Sequence, residues 1–361
     1  MNKLAADFPA QKSQVESARK YMLEARAHDQ LEHLKRMRDA GRYKALQEGL
    51  ESFPEKEASA VTTAEFRTLK ASFDETAEKF ADLQHLLEDL GKRMQQAPEG
   101  LANALSAVRS ELHLDRTNRL EAFLGQALQA ERQRKSGKTP EISPSALASL
   151  AITGWLLGNP NAEPKADVAL RLWHSRELVL DYLRTDDIAV REKLLRKYAA
   201  KKADYIGMDE FCQIIPHLPP TLAEPSPGLG TLFLQAGAGV NPARYLLKLP
   251  PEYSHNRLYP VLMALPPFSE PEALTVQRLE QFCAEYGYIL AVPHWEENKG
   301  TDYAFSEREH QIALDVLRDL RRRFQVDSDR VFLTGAGDGG GMMAFDVALS
   351  HPDLFAGAIP M

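Results

Sequence analysis

The segment from Arg330 to Met361 constrains the fold more than any other. It reads R-V-F-L-T, then G-A-G-D-G-G-G, then M-M-A-F-D-V-A-L-S and finally H-P-D-L-F-A-G-A-I-P-M. An apolar run, five glycines within seven residues, an apolar stretch of helical period and a second apolar run predict strand, tight turn, helix and strand. Glycine is the residue that reverses a backbone this sharply without side-chain collision. Where such a turn carries chemistry, a serine at its centre is lifted above the sheet. The register Gly335, Ala336, Gly337, Asp338, Gly339 puts a glycine there instead.

The residues upstream extend the same pattern. Leu218-Pro219-Pro220 to Pro227-Gly228 is rich in proline and glycine, and the hydrophobic period changes after it. Strands are predicted over 230–235, 243–249, 258–265, 288–293 and 330–334, and helices over 272–286 and 307–324. The run L-Y-P-V-L-M-A-L at 258–265 is of buried-strand type. Strands alternating with helices argue for a mostly parallel sheet with helices on both faces, and the first two strands, with no helix between them, for a hairpin at its edge.

Residues 10–218 read as helical. Val15, Ala18, Met22 and Ala25 repeat at helical spacing. Gly41-Arg42-Tyr43-Lys44-Ala45-Leu46 opens a short helix that ends near Phe53-Pro54. This piece faintly resembles one helix pair of a tetratricopeptide repeat, but no second copy follows at the required period. Phe66, Leu69, Phe73, Phe80, Leu83, Leu87, Leu90 and Met94 alternate by threes and fours as coiled-coil positions do. A second long helix is expected over Leu101–Arg134, closing an antiparallel hairpin that packs on itself or offers a face to a protein partner. A second helical unit is expected over 145–218, with Trp155, Leu156, Leu170, Trp173, Leu178 and Leu183 as its core. The expected organisation is a helical region over 1–134, a second helical unit over 145–218, and a partial α/β domain over 228–361.

From Tyr245 onward the chain resembles the α/β-hydrolase superfamily, and within it the bacterial esterase, depolymerase and prolyl-oligopeptidase-like members. The resemblance rests on Y-L-L-K-L-P-P-E-Y, Y-P-V-L-M-A-L, V-P-H-W, the run S-E-R-E-H through D-R-V-F-L-T-G, and H-P-D-L-F-A-G-A-I-P. In active relatives a serine attacks, a histidine held by an acid takes its proton, and backbone N–H groups hold the oxyanion. The resemblance implies a nucleophile at Gly337, which has no side chain. It places one oxyanion donor in the loop Leu265-Pro266-Pro267-Phe268, where proline supplies no N–H. It places the acid and base after the elbow, and the chain ends at Met361 inside the next strand. Expected, therefore, is a fragment of a longer protein, or a sheet edge covered by another chain. Loss of an elbow nucleophile alone costs about 10⁶-fold in turnover, so no catalytic residue is expected among Gly335, Gly337, Asp338, Gly339, Pro266 and Pro267.

Two further readings of the same glycines remain open. Slipping the register makes Asp338 an aspartate nucleophile. Gly335 to Gly340 also satisfies the dinucleotide pattern G-x-G-x-x-G, though Ala356 to Met361 carries no acidic residue to hold a ribose. At the neighbouring strand end, His294, Trp295 and His310 are candidates to line a vestigial pocket, with Glu309 helping to shape it. Asp346 is expected to make a structural polar contact.

Composition narrows the partners. Net charge is −7 over 361 residues, which gives no electrostatic reason to expect nucleic acid or an anionic membrane. The two cysteines, Cys212 and Cys283, lie far apart, which fits a reducing compartment, and the start has no apolar core of signal-peptide length. A cytoplasmic protein is expected, without metal or cofactor. Its role is expected to be scaffolding or binding of a ligand or partner; the alternative is an ester or peptide hydrolase that draws on residues outside this sequence.

Overall fold

The computed structural model describes residues 9–94, 99–222, 228, 230–237, 242–268, 270–295 and 303–361. Nine helices are described ahead of the sheet: α1 (Pro9–Asp39), α2 (Tyr43–Glu51), α3 (Ala60–Arg93), α4 (Glu99–Glu111), α5 (Glu121–Lys135), α6 (Pro144–Leu157), α7 (Ala166–Arg184), α8 (Ile188–Ala200) and α9 (Met208–Ile214). Among the described residues no helix is long and apolar enough to cross a membrane.

The early part of α1 differs from its sequence pattern. Val15 and Met22 are exposed, and the buried stripe is instead Ala27, Leu31 and Leu34, at i, i+4 and i+7. These pack with Leu46 and Leu50 of α2 and with Phe66 and Leu69 of α3. Farther along α3, Leu83, Leu87, Leu90 and Met94 enter a different core. A helix of 34 residues is about 50 Å long, so one apolar stripe serves two cores.

The single helix expected over Leu101–Arg134 is broken. His113 adopts an extended backbone and its Nδ1 accepts the N–H of Asp115, opening a 3₁₀ turn over Leu114–Leu120 before α5. In α6, which is apolar all round, Leu147 to Leu156 are buried without interruption, as a helix enclosed by others must be. One core runs from Leu83 through α4, α5, α6 and α7 to Leu218. Trp155, Leu156 and Trp173 belong to it, Leu170 packs on it, and Leu183 is exposed.

The sheet contains β1 (Thr231–Ala236), β2 (Ala243–Lys248), β3 (Tyr259–Leu265), β4 (Ile289–Pro293), β5 (Val326–Gly335) and β6 (Gly357–Pro360), in the order β1-β2-β4-β3-β5-β6. β1 and β2 are antiparallel, β2 meets β4 antiparallel, and β4, β3, β5 and β6 are parallel. Helices α10 (Glu272–Tyr286), α11 (Glu307–Arg323) and α12 (Gly337–Ser350) cover it. The period of two in β3 distributes them. Leu262 and Ala264 pack with Val276 and Cys283 of α10. Val261 and Met263 pack with α11 and α12 on the opposite face. β5 begins earlier than expected, at Val326, with a register shift between Tyr259 and Val261 on β3.

The helical part docks at one end of this sheet. Glu252, just ahead of β3, accepts the N–H groups of Lys44 and Ala45 at 2.8 and 3.1 Å. It thereby caps α2, whose own Arg42 makes no side-chain cap. Gln325, just ahead of β5, donates to the Leu218 carbonyl at 3.0 Å. Gly287, just ahead of β4, lies where a Cβ would come 2.8 Å from Cα of Ala40. All three contacts sit at the N-terminal ends of the parallel strands, so the C-terminal ends face away from the helices.

Candidate functional site

The chain leaves β3 toward β4 on one side and returns to β5 on the other. The crevice above β3 and β5 is the switch point where ligands bind in sheets of this kind. Leu265, Pro266 and Pro267 line one wall and the turn from β5 into α12 the other. Gly337, first residue of α12, has φ +70, the left-handed conformation an elbow apex requires.

The glycines of this turn differ in what they avoid. A Cβ on Gly335 would collide with the Gly340 carbonyl oxygen. One on Gly340 would lie 2.5 Å from the Leu265 carbonyl oxygen and 2.8 Å from that of Pro266. One on Gly339 would lie 2.7 Å from the Trp295 ring, and one on Gly341 3.0 Å from the Met361 carbonyl oxygen. At Gly337 the nearest heavy atom is Pro267 Cβ at 3.7 Å. The other four are demanded by close approach, whereas at Gly337 a Cβ would make ordinary van der Waals contact and only the left-handed φ favours glycine. The apex thus has the left-handed backbone of an elbow, and the residue at it, Gly337, carries no side chain.

The opposite wall supplies no donor at its prolines. Instead the Pro266 carbonyl accepts the Trp295 indole N–H at 3.0 Å, and the Pro267 carbonyl accepts the N–H of Glu270 at 3.1 Å. Trp295 packs edge-on against Phe268 and is fully buried, so it holds the loop from within the core and does not line an open pocket. His294 is half-buried and its Nδ1 pairs with Glu272. Asp338 lies in the first turn of α12, and its side chain is outside the described residues, so the reading of it as a nucleophile is too.

His310, on α11, belongs to a separate cluster with Asp346 of α12. Its Nε2 lies 2.8 Å from Asp346 Oδ2, and the Tyr303 hydroxyl donates to the same oxygen at 2.6 Å. The Tyr303 bond, then His310, hold the Asp346 carboxyl below its usual range, while burial and Asp346 push the Tyr303 phenol up. Asp346 lies nine residues past Gly337, about 13 Å along the helix. The polar contact expected of Asp346 is made to Tyr303 and His310. Glu309 is buried and closes a capping box with Ser306 at the start of α11, accepting its N–H at 2.9 Å. The structure therefore separates the three pocket candidates: His294 beside the crevice, Trp295 beneath it, His310 away from it. The partners Glu272, Tyr303 and Asp346 were not paired with them by sequence, since no local spacing links them. β6 ends in Ile359-Pro360, with no acidic residue for a dinucleotide ribose.

No protein-family model and no curated protein matches the chain. Among solved structures it is similar to a thermostable esterase at 18% identity, over 36% of this chain and 40% of that one, with a TM-score of 0.30. It is also similar to an acetyl xylan esterase from Aspergillus awamori at 17% identity, over 36% and 50%, TM-score 0.32. A fluorophosphonate-binding serine hydrolase from Staphylococcus aureus is 22% identical over 36% and 55%, TM-score 0.30. The chain spans about half the length of these structures. By its own topology, an edge hairpin joined to a parallel sheet with a strand–glycine elbow–helix at its switch point, β1 to α12 forms an α/β-hydrolase-like fold behind an α-helical region.

Proposed function

We propose that this protein carries an elbow that does not perform acyl transfer, and that the α/β-hydrolase-like part serves in binding or scaffolding. The observation that carries this reading is Gly337: the backbone of the apex is in place and the attacking atom is absent. The prolines at 266 and 267 remove a donor where the oxyanion would develop, an effect worth about 10²–10³ in turnover for a single lost donor. The test incubates the full chain with a fluorophosphonate probe and with p-nitrophenyl acetate. Neither covalent labelling nor turnover above buffer is expected. Labelling of a serine together with ester turnover overturns the proposal.

A second reading, a hydrolase that draws on further residues, is favoured by the room around Gly337. A Cβ there would lie 3.7 Å from Pro267 Cβ, so a serine would meet backbone strain at the left-handed φ but no collision at its Cβ. Gly337→Ser is expected to remain inactive because Pro266 and Pro267 donate nothing. Turnover gained by that variant would establish the second reading.

A further inference from the structure

At the junction of the helical part with the sheet, a cavity of about 350 Å³ is lined by Arg116, Arg119, His217, Arg257 and Arg330, with Asp115 as its one carboxylate. These residues come from the 3₁₀ turn after α4, the turn after α9, the loop before β3 and the middle of β5. The charges do not balance within the chain. Arg257 pairs with Asp115 at 2.7 Å, and Arg330 on the rim pairs with Asp327 at 2.7 Å. Arg116 and Arg119 form no ion pair among the described residues. Arg116 stacks over Trp155, and its Nη2 is buried without an acceptor.

Arg119 donates to the carbonyls of Trp155 and Leu156 at 2.7 and 3.0 Å, and its Nη1 lies 3.0 Å from His217 Nε2. A guanidinium only donates, so that imidazole nitrogen accepts and His217 is neutral. Burial, then Arg119 and Arg116, push the His217 pKa down to about 4. Two guanidinium groups without an ion pair therefore share one cavity; burial lowers the pKa of both, Arg119 to about 10, and only at Arg116 do carboxylates, Glu111 and Asp115, oppose it. Such an arrangement costs stability unless an anion enters it.

We propose that this cavity binds a phosphate group. A phosphate dianion matches the two guanidinium groups in charge, and its tetrahedrally arranged oxygens accept from the planar N–H fork of an arginine. A monocarboxylate balances only one of them. The site lies at the N-terminal ends of the parallel strands, opposite the elbow, and does not depend on the reading of Gly337.

The test is titration calorimetry of the full chain in a phosphate-free, low-salt buffer with inorganic phosphate, phenyl phosphate and acetate as probes. Arg116→Gln is expected to weaken phosphate binding by about tenfold or more, the value of a charge-assisted bond. Arg330→Gln, at a half-exposed rim residue whose loss leaves the fold intact, is expected to weaken it severalfold. Arg318→Gln, on an exposed face of α11, is expected to leave it unchanged. Phosphate is also expected to raise the His217 imidazole pKa, followed by NMR. Tighter binding of phenyl phosphate would assign the site to a phosphate ester, and tighter binding of inorganic phosphate to the free ion; either supports the proposal. No binding at about 10 mM phosphate, a complex far weaker than the millimolar range where binding free energy is about −4 kcal/mol, overturns it. So does acetate binding as tightly as phosphate, or affinity unchanged in both Arg116→Gln and Arg330→Gln.

Discussion

Arg257 Nη1 donates to the Asp115 carboxylate at 2.7 Å, across 142 residues of sequence, and joins the loop before β3 to the turn after α4. The same guanidinium donates to the Asp39 carbonyl at 2.6 Å and to the Tyr43 hydroxyl at 3.1 Å, and Tyr43 in turn hydrogen-bonds Asp115. The Arg257 side chain is 13% exposed. One side chain thus ties α1, α2 and the 3₁₀ turn to the sheet. Arg257→Met removes the guanidinium from the partly exposed Asp115, and losing hydrogen bonds to a charged group costs about 1.5–3 kcal/mol. Denaturant unfolding is expected to show that loss, and amide exchange to rise first along α2.

The glycine turn separates two kinds of substitution. Gly340→Ala puts a Cβ against two backbone carbonyl oxygens that cannot move without shifting β3. A cost of about 2–3 kcal/mol is expected, the range of overpacked cores. Gly337→Ala meets no such wall and bears only the left-handed φ, about 1–2 kcal/mol. If the two variants unfold at the same denaturant concentration, the steric account of the turn is wrong.

His217 gives the protein a pH dependence with a definite sign. Its pKa is pushed down to about 4, first by burial and then by Arg119 and Arg116, from an ordinary 6.5. Between those values the unfolded chain binds more protons than the folded one, so stability is full above about pH 6.5 and falls as pH drops toward 4. The loss is on the order of 2 kcal/mol once solvent screening of a half-buried ring is allowed for. His217→Asn keeps an acceptor for Arg119 and is expected to flatten this part of the stability profile, measured by chemical unfolding between pH 4.5 and 7.5.

Asp346 carries the opposite kind of group. Its carboxyl pKa is lowered, first by the Tyr303 hydroxyl and then by His310. Its contribution is present above the unfolded carboxylate pKa and is lost as pH falls through the folded one. Asp346→Asn is expected to cost about 1–2 kcal/mol at pH 7, as hydrogen bonds to a charged group do, and less at pH 3. An equal cost at both values would mean that the carboxylate charge is not what holds Tyr303.

Glu252 caps α2 from outside the helix and does so with φ +58. Glu252→Ala is expected to lower stability by about 1 kcal/mol, the value of an N-cap, and to loosen the docking of α2. Amide exchange at Lys44 and Ala45 reports this directly: protection unchanged in the variant would show that the cap is not Glu252.

The sequence alone determined the alternation of strands and helices from β1 to α12, the edge hairpin and the glycine turn between β5 and α12. Those features depend on local period and turn chemistry, which act over a few residues. It also suggested one unbroken helix over Leu101–Arg134, because the apolar period continues through the break. Only the tertiary structure decided that His113 ends α4, that α3 divides its stripe between two cores, and that Trp295 is sealed beneath the crevice. The pairings His310–Asp346, Arg119–His217 and Arg257–Asp115 join residues 36, 98 and 142 positions apart. No spacing in the chain marks them. They exist because tertiary packing, of α11 against α12, of the 3₁₀ turn against the turn after α9, and of the helical part against the loop before β3, brings these side chains together.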